Sequence, residues 1–142
     1  MFTCNGINFE SRVHYEFFEE KMIQLRPDCY LNSLIYTLGI CHETRAHWHT
    51  LYDEVKGEIN PDAIQSSWKT SGSIRVTRLA FHLFTNSMPT VNSCDKREQL
   101  TCDCKECQQY SIVELFCDEH APYFVEVIKL RFPSSFRDSH RH

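Results

Sequence analysis

The chain has 142 residues, of which 42% are apolar, with ten Phe and six Tyr; that suffices for one hydrophobic core and falls short of two comfortable domains. Fifteen Lys and Arg stand against 19 Asp and Glu, a formal charge of −4, which gives no support to a protein wrapped around nucleic acid. The same mild acidity is compatible with a partner that presents a basic surface.

The first residues, MFTCNGINFESRVH, lack a basic stretch followed by an apolar run, so no secretory signal is expected. No uninterrupted apolar segment reaches membrane-spanning length. The expected setting is a reducing cytoplasm, where eight cysteines act as thiols or metal ligands rather than as structural disulfides. Residues 11–25 read as the first helix, with Ser11 as its cap and Val13, Phe17, Phe18, Met22 and Leu25 as its apolar side. Pro27 ends it and Asp28 begins a second helix carrying Leu31, Leu34, Ile35 and Leu38. Gly39 suits a terminal left-handed turn. A third helix is expected over 43–56, because Trp48, Leu51, Tyr52 and Val55 recur at helical spacing. A turn follows, with one short helical turn after Pro61.

The fourth helix, roughly 73–85, has the clearest stripe. Val76, Leu79, Ala80, Leu83 and Phe84 face one way, and Arg75, Arg78 and His82 line another. Helical character returns in SIVELFCDEH, is interrupted near Pro122, and resumes through YFVEVIKLRF. Residues 134–142 read as a solvated tail. The expected architecture is a single, mainly α domain over 1–142. It is a compact, monomeric bundle of five or six helices, with a cysteine-rich, metal-stabilised loop insertion at about 88–109.

That insertion contains CDKREQLTCDCKEC, residues 94–107. Cys104 and Cys107 have the spacing that lets a tight turn aim both sulfurs inward. Cys102 can join through an extended dipeptide, and Cys94 can close a tetrahedral set from the preceding segment. The connection holds little apolar material, and metal binding would offset the entropy of ordering it. The expected cofactor is a structural Zn(II) held by Cys94, Cys102, Cys104 and Cys107. Free thiols in a flexible insertion, disulfide or redox use, and recruitment of Cys117 and His120 stand as alternatives. An iron–sulfur cluster fits the CxCxxC spacing poorly. Four deprotonated ligands and one divalent ion would move the formal charge from −4 to −6.

Catalytic patterns are weak by comparison. His42, His47 and His49 do not form the His-Glu-x-x-His pattern of zinc proteases, and packing, surface bonds or a cap accounts for them. Cys117 lies three residues before His120, but an apolar run precedes it and two carboxylates follow, which fits a mostly buried structural thiol. TSGSIRVTR can hold an anion at a helix start, though a cap explains it without a ligand. Arg75 and Arg78 read as a solvated face or as ion-pair donors. No catalytic residue is assigned, and the chain is not expected to be an enzyme.

The segments LIYTLGICHETRAHWHTLYD, SSWKTSGSIRVTRLAFHLFTN and VELFCDEHAPYFVEVIKLRFP together resemble a family of small proteins of unknown function from Firmicutes and their phages or mobile elements. The resemblance rests on Leu34, Tyr36, Gly39, Thr44 through His47, Trp68, Ser71, Arg75 through Phe81, Phe116, Cys117 and Ala121 through Phe124. The cysteine-rich insertion departs from that pattern, whereas Cys117 belongs to it. The resemblance implies a helical scaffold of mobile-element origin. A phage-associated, acidic, metal-stabilised small protein also resembles the anti-CRISPR inhibitors. That likeness implies stoichiometric binding to a basic surface of a host RNA-guided nuclease, blocking guide or target DNA. The alternative is a zinc-stabilised phage–host interaction module with another target. No direct nucleic-acid or membrane contact is expected.

Overall fold

A computed structural model describes residues 1–91 and 104–136. The chain opens with a β-hairpin that the helical reading did not include. Strands β1 (Phe2–Cys4) and β2 (Ile7–Phe9) run antiparallel, with Phe2 opposite Phe9. Asn5 and Gly6 join them at φ values of 53° and 80°, the left-handed pair that a tight two-residue turn favours.

Helix α1 (Arg12–Leu25) is capped as expected, Ser11 Oγ accepting the His14 N–H at 3.2 Å. Of its expected apolar side, Phe17, Phe18, Met22 and Leu25 belong to the core or pack against it, and Val13 does not. His14, Phe18 and Lys21 are buried, while Val13 is 54% exposed. Arg26, in the left-handed region at φ 47°, closes the helix. Asp28 then caps α2 (Cys29–Leu38), accepting the Leu31 N–H at 2.9 Å. Every residue of α2 from Ser33 to Leu38 is buried.

Gly39 does not make the left-handed turn, for its φ and ψ are −75° and −14°. Space is what it provides. A Cβ there would lie 2.8 Å from His14 Cδ2 and 2.9 Å from Phe17 Cδ1.

The helix expected over 43–56 is divided. Two short helices, α3 (His42–Ala46) and α4 (Trp48–Leu51), lead into a second hairpin of β3 (Tyr52–Asp53) and β4 (Glu58–Ile59). Asp53 Oδ1 accepts the N–H groups of Val55 and Lys56 at 2.9 and 3.0 Å, so a side chain takes donors that a helix would need. Gly57, at φ 70°, reverses the chain. Trp48, Leu51 and Tyr52 still reach the core, but Val55 is 96% exposed. The expected turn after Pro61 is a 3-10 helix, Pro61–Gln65.

Helix α5 (Ser71–Thr85) begins with a reciprocal capping box between Thr70 and Ser73 and ends at Asn86, left-handed at φ 57°. Beyond the connection come α6 (Lys105–Gln108), α7 (Ile112–Phe116), α8 (Ala121–Arg131) and a 3-10 turn, Pro133–Phe136. Pro122 sits in the first turn of α8, where its missing N–H costs nothing; the interruption falls at Cys117–His120 instead. The architecture is mainly helical, as expected, with two small sheets added among the described residues.

Helix α2 forms the centre, packed chiefly against α5 and α8. Leu34, Ile35, Tyr36 and Leu38 meet Val76, Ala80 and Phe81 from α5 and Phe124 and Val127 from α8 in one cluster. Buried charges are answered locally. Arg131 donates to the Leu83 carbonyl at 2.8 Å and to Asn86 Oδ1 at 2.9 Å, and its guanidinium lies 3.6 Å from the centre of the Tyr30 ring.

His14 is fully buried. Its Nε2–H donates to the Tyr36 carbonyl at 2.7 Å, and its Nδ1 accepts the Glu10 N–H at 3.0 Å. Burial holds its pKa down at about 4. The unfolded chain therefore takes up this proton first, near the ordinary 6.5. The stability contributed by neutral His14 is complete above that pH and is lost as pH falls toward 4, by about 3 kcal/mol. Urea unfolding across that range should show the loss, and His14→Gln should flatten the slope. Gly39→Ala keeps a helical backbone but overfills the site beside His14; it should cost about 1–3 kcal/mol at neutral pH. An unchanged urea midpoint would show that the two rings can move aside.

Candidate functional site

Helix α7 stops at Cys117, so Cys117 and His120 do not share a helical face. Cys117 is exposed, against the expectation of a mostly buried thiol, because the chain leaves the helix there and turns outward. His120 precedes α8 and turns back toward the core. Asp118, with only 4% of its side chain exposed, accepts the His120 backbone N–H at 2.8 Å and its Nδ1–H at 2.6 Å.

A proton on Nδ1 leaves Nε2 as an acceptor, and Nε2 lies 3.7 Å from Cys41 Sγ. The thiol thus donates to the ring, and a Cys41–His120–Asp118 relay results. Cys41 precedes α3 and is 6% exposed. It opens on a cavity of about 400 Å³ bounded also by Glu43 and the first turn of α5. Burial pushes the Cys41 thiol up to about 12, with the carboxylates of Glu43 and Asp118 adding to it. The resting sulfur is therefore a protonated thiol, and the imidazole nitrogen beside it is placed to accept its proton if an electrophile enters.

This grouping has no local signature in the sequence. Cys41 and His120 are 79 residues apart, and only the Asp-x-His spacing of Asp118 and His120 marks half of it. Arg75 meets the expectation of an ion-pair donor. Its Nε–H donates to the Glu114 carbonyl at 3.1 Å, and its Nη1 lies 3.7 Å from Asp118 Oδ2.

Of the expected zinc ligands, Cys94 and Cys102 lie outside the described residues. Cys107 is buried, and its N–H donates to Cys104 Sγ at 3.4 Å, so that a cysteine sulfur caps α6. At the base of the connection, Val91 N–H donates to Glu106 Oε2 at 2.8 Å, and the Tyr110 hydroxyl donates to the Pro89 carbonyl. The two ends of the loop are thereby fastened to each other. Among the described residues, no three His, Cys, Asp or Glu side chains are grouped to hold a metal.

The histidines of HETRAHWH behave as packing and surface groups. His42 and His49 are exposed. His47 stacks on Trp68 with ring centres 3.8 Å apart and donates from Nδ1 to the Glu43 carbonyl at 2.9 Å. The neighbouring motif residues are also used internally. Thr44 donates to the Leu38 carbonyl, and Arg45 donates to the Gly39 carbonyl at 2.6 Å.

Fold and site together define a small, mainly helical protein in which Thr44 and Arg45 brace the end of α2 against α3. The chain belongs to a family of unknown function (DUF6075), whose family model matches residues 4–142. No curated protein and no solved structure matches it. No described helix is long and apolar enough to cross a membrane.

The geometry orders the thiols by reactivity. Brief treatment of the native protein with iodoacetamide, followed by peptide mass mapping, should label Cys117 at least about tenfold faster than Cys41. Equal rates would show that Cys41 is more open and more acidic than its burial implies.

Proposed function

We propose that this protein acts by binding, as a stoichiometric inhibitor of a host RNA-guided CRISPR nuclease, with a zinc-stabilised loop as part of its rigid surface. The observation that carries the binding reading is the Cys104–Cys107 turn. An N–H aimed at the sulfur three residues back brings the two cysteines onto one tight turn, and the two-residue spacing is one that a metal-holding pair uses. Cys94 and Cys102 would complete the set. The fastened ends support the same reading, since a loop closed at its base needs only one further constraint to hold a single shape.

The nuclease as target is proposed on the resemblance and on charge. An acidic monomer in the bacterial cytoplasm, made more acidic by the ligated loop, would compete with phosphate for a basic groove. Elemental analysis of tag-free protein should give about one zinc per chain. Cys104→Ser should release it; full zinc content in that variant would reject the ligand set. Nuclease cleavage should stop at roughly equimolar protein and recover as salt is raised. Cleavage untouched by excess protein would remove the nuclease as the target.

A second reading rests on the Cys41–His120–Asp118 relay. It would make the protein a cysteine-dependent acyl-transfer enzyme, the thiol adding to a carbonyl as its proton passes to His120 Nε2. Full inhibition at far substoichiometric protein, abolished in Cys41→Ser, would select this reading over the first.

A further inference from the structure

We propose that a second cavity, on the side of α5 that carries Arg78, is an oxyanion site that takes the phosphate group of a ligand with a small apolar body. It encloses about 510 Å³, and Lys69, Arg78, Gln65, Ser66, Ile74 and Glu106 are among the side chains around it. Neither the binding reading nor the thiol relay requires it, and its two cations, Lys69 and Arg78, lie outside the cysteine loop.

The case begins with Arg78, half-buried on α5. Among the described residues, no hydrogen bond or ion pair within 4 Å engages its guanidinium. That contrasts with Arg75, one turn earlier, whose head is occupied by Glu114 and Asp118. Lys69 stands on the same cavity. Its ammonium donates to Thr77 Oγ1 and lies 4.4 Å from the centre of the Trp68 ring, and no carboxylate pairs with it among the described residues. Thr77 gives its own proton to the Ser73 carbonyl at 2.7 Å, so its oxygen is left to receive the lysine.

Two cations on one half-buried wall repel each other and lose hydration, a cost that an anion between them removes. Burial, with Arg78 adding to it, draws the Lys69 pKa down to about 7; a titratable group so displaced in a cleft marks a ligand site. Glu106 answers only part of the charge, and its Oε2 already accepts the Val91 N–H. Glu114 also acts on Arg78 through space, and no described carboxylate lies within ion-pair distance of either cation.

Donor geometry selects phosphate over carboxylate. One guanidinium fork satisfies both oxygens of a carboxylate. Here the fork, a separate ammonium, and the neutral donors Ser66 and Gln65 surround one space, which suits a group with three peripheral oxygens. Ile74 gives the apolar contact for the body that carries it.

The test uses the full chain, with inorganic phosphate and phenyl phosphate as probes and acetate as the control. Titration calorimetry should show one saturable site for phenyl phosphate with a Kd at or below about 1 mM, tighter than acetate by about tenfold or more. Amide shifts in two-dimensional NMR should cluster at residues 65–69 and 74–78. Arg78→Lys, which keeps the charge and removes the fork, and Lys69→Met, which keeps the stem over Trp68, should each weaken binding by about tenfold. Should either variant lose its helical circular dichroism, the shift map of the unsubstituted protein decides alone. No saturation by about 10 mM phenyl phosphate, acetate binding as tightly, unaltered affinity in both folded variants, or shifts confined to residues 70–73 at the start of α5 would each overturn the proposal.

Discussion

The imidazole of His14 holds three parts of the chain at one point. Its two nitrogens bond to the backbone at Glu10, just after the first hairpin, and at Tyr36 in α2, while the ring belongs to α1. A neutral imidazole has one donor and one acceptor, and both are used with nothing left over. Around it, Phe9 packs edge-on at 5.1 Å and Tyr36 lies at 4.6 Å between ring centres. The Tyr36 hydroxyl in turn donates to the Asn8 carbonyl. Burial without loss of hydrogen bonds is what allows a polar ring to sit where Leu or Phe would be expected. Gly39 completes the arrangement by leaving room for it. Cys41 follows two residues later, so the place of the thiol depends on how closely α1 approaches the end of α2.

Much of the helical skeleton was legible because capping and period agree in it. Ser11, Asp28 and Thr70 are caps by chemistry before any coordinates are known, and the stripe of α5 points inward as its spacing requires. The first hairpin was missed, although its turn carries a signal. Asn-Gly between Phe2–Cys4 and Ile7–Phe9 is a turn pair flanked by short runs of mixed polarity, and three-residue strands carry too little alternation to stand out. The stretch after Trp48 misled for the opposite reason. Its apolar spacing is helical, but Asp53 bonds its own backbone and Gly57 reverses it, so local competition overrides the period.

The candidate site was less legible, because chemistry in this fold comes from residues that are distant in sequence. Cys117 and His120 look like partners at i and i+3, yet that spacing has meaning only while the helix continues. The helix ends at Cys117, and the partner of His120 proves to be Cys41. Gly39 shows the same limit in another form. A glycine after a helix suggests a left-handed cap, but close packing can demand a glycine equally well, and only the tertiary structure distinguishes the two.

Helix α5 connects these observations. Its first turn borders the Cys41–His120 cavity, its apolar face fills the core against α2, and Arg75 and Arg78 stand half-buried on another side. Arg75 and Arg78 are three residues apart on one helix, so sequence gives them the same description. Their surroundings do not. Opposite Arg75 stand α7, whose Glu114 supplies a carbonyl, and the turn that follows it, whose Asp118 carboxylate also orients His120. Opposite Arg78 lies an open cavity with a second cation beside it. Arg75 therefore helps to neutralise Asp118 and steadies the tautomer that turns Nε2 toward Cys41. Among the described residues Arg78 has no comparable hydrogen bond or ion pair, and Tyr110, Glu106 and Glu114 act on it only through space. Packing thus gives two half-buried arginines of one helix different surroundings, one bonded to α7 and Asp118 and one lining a cavity.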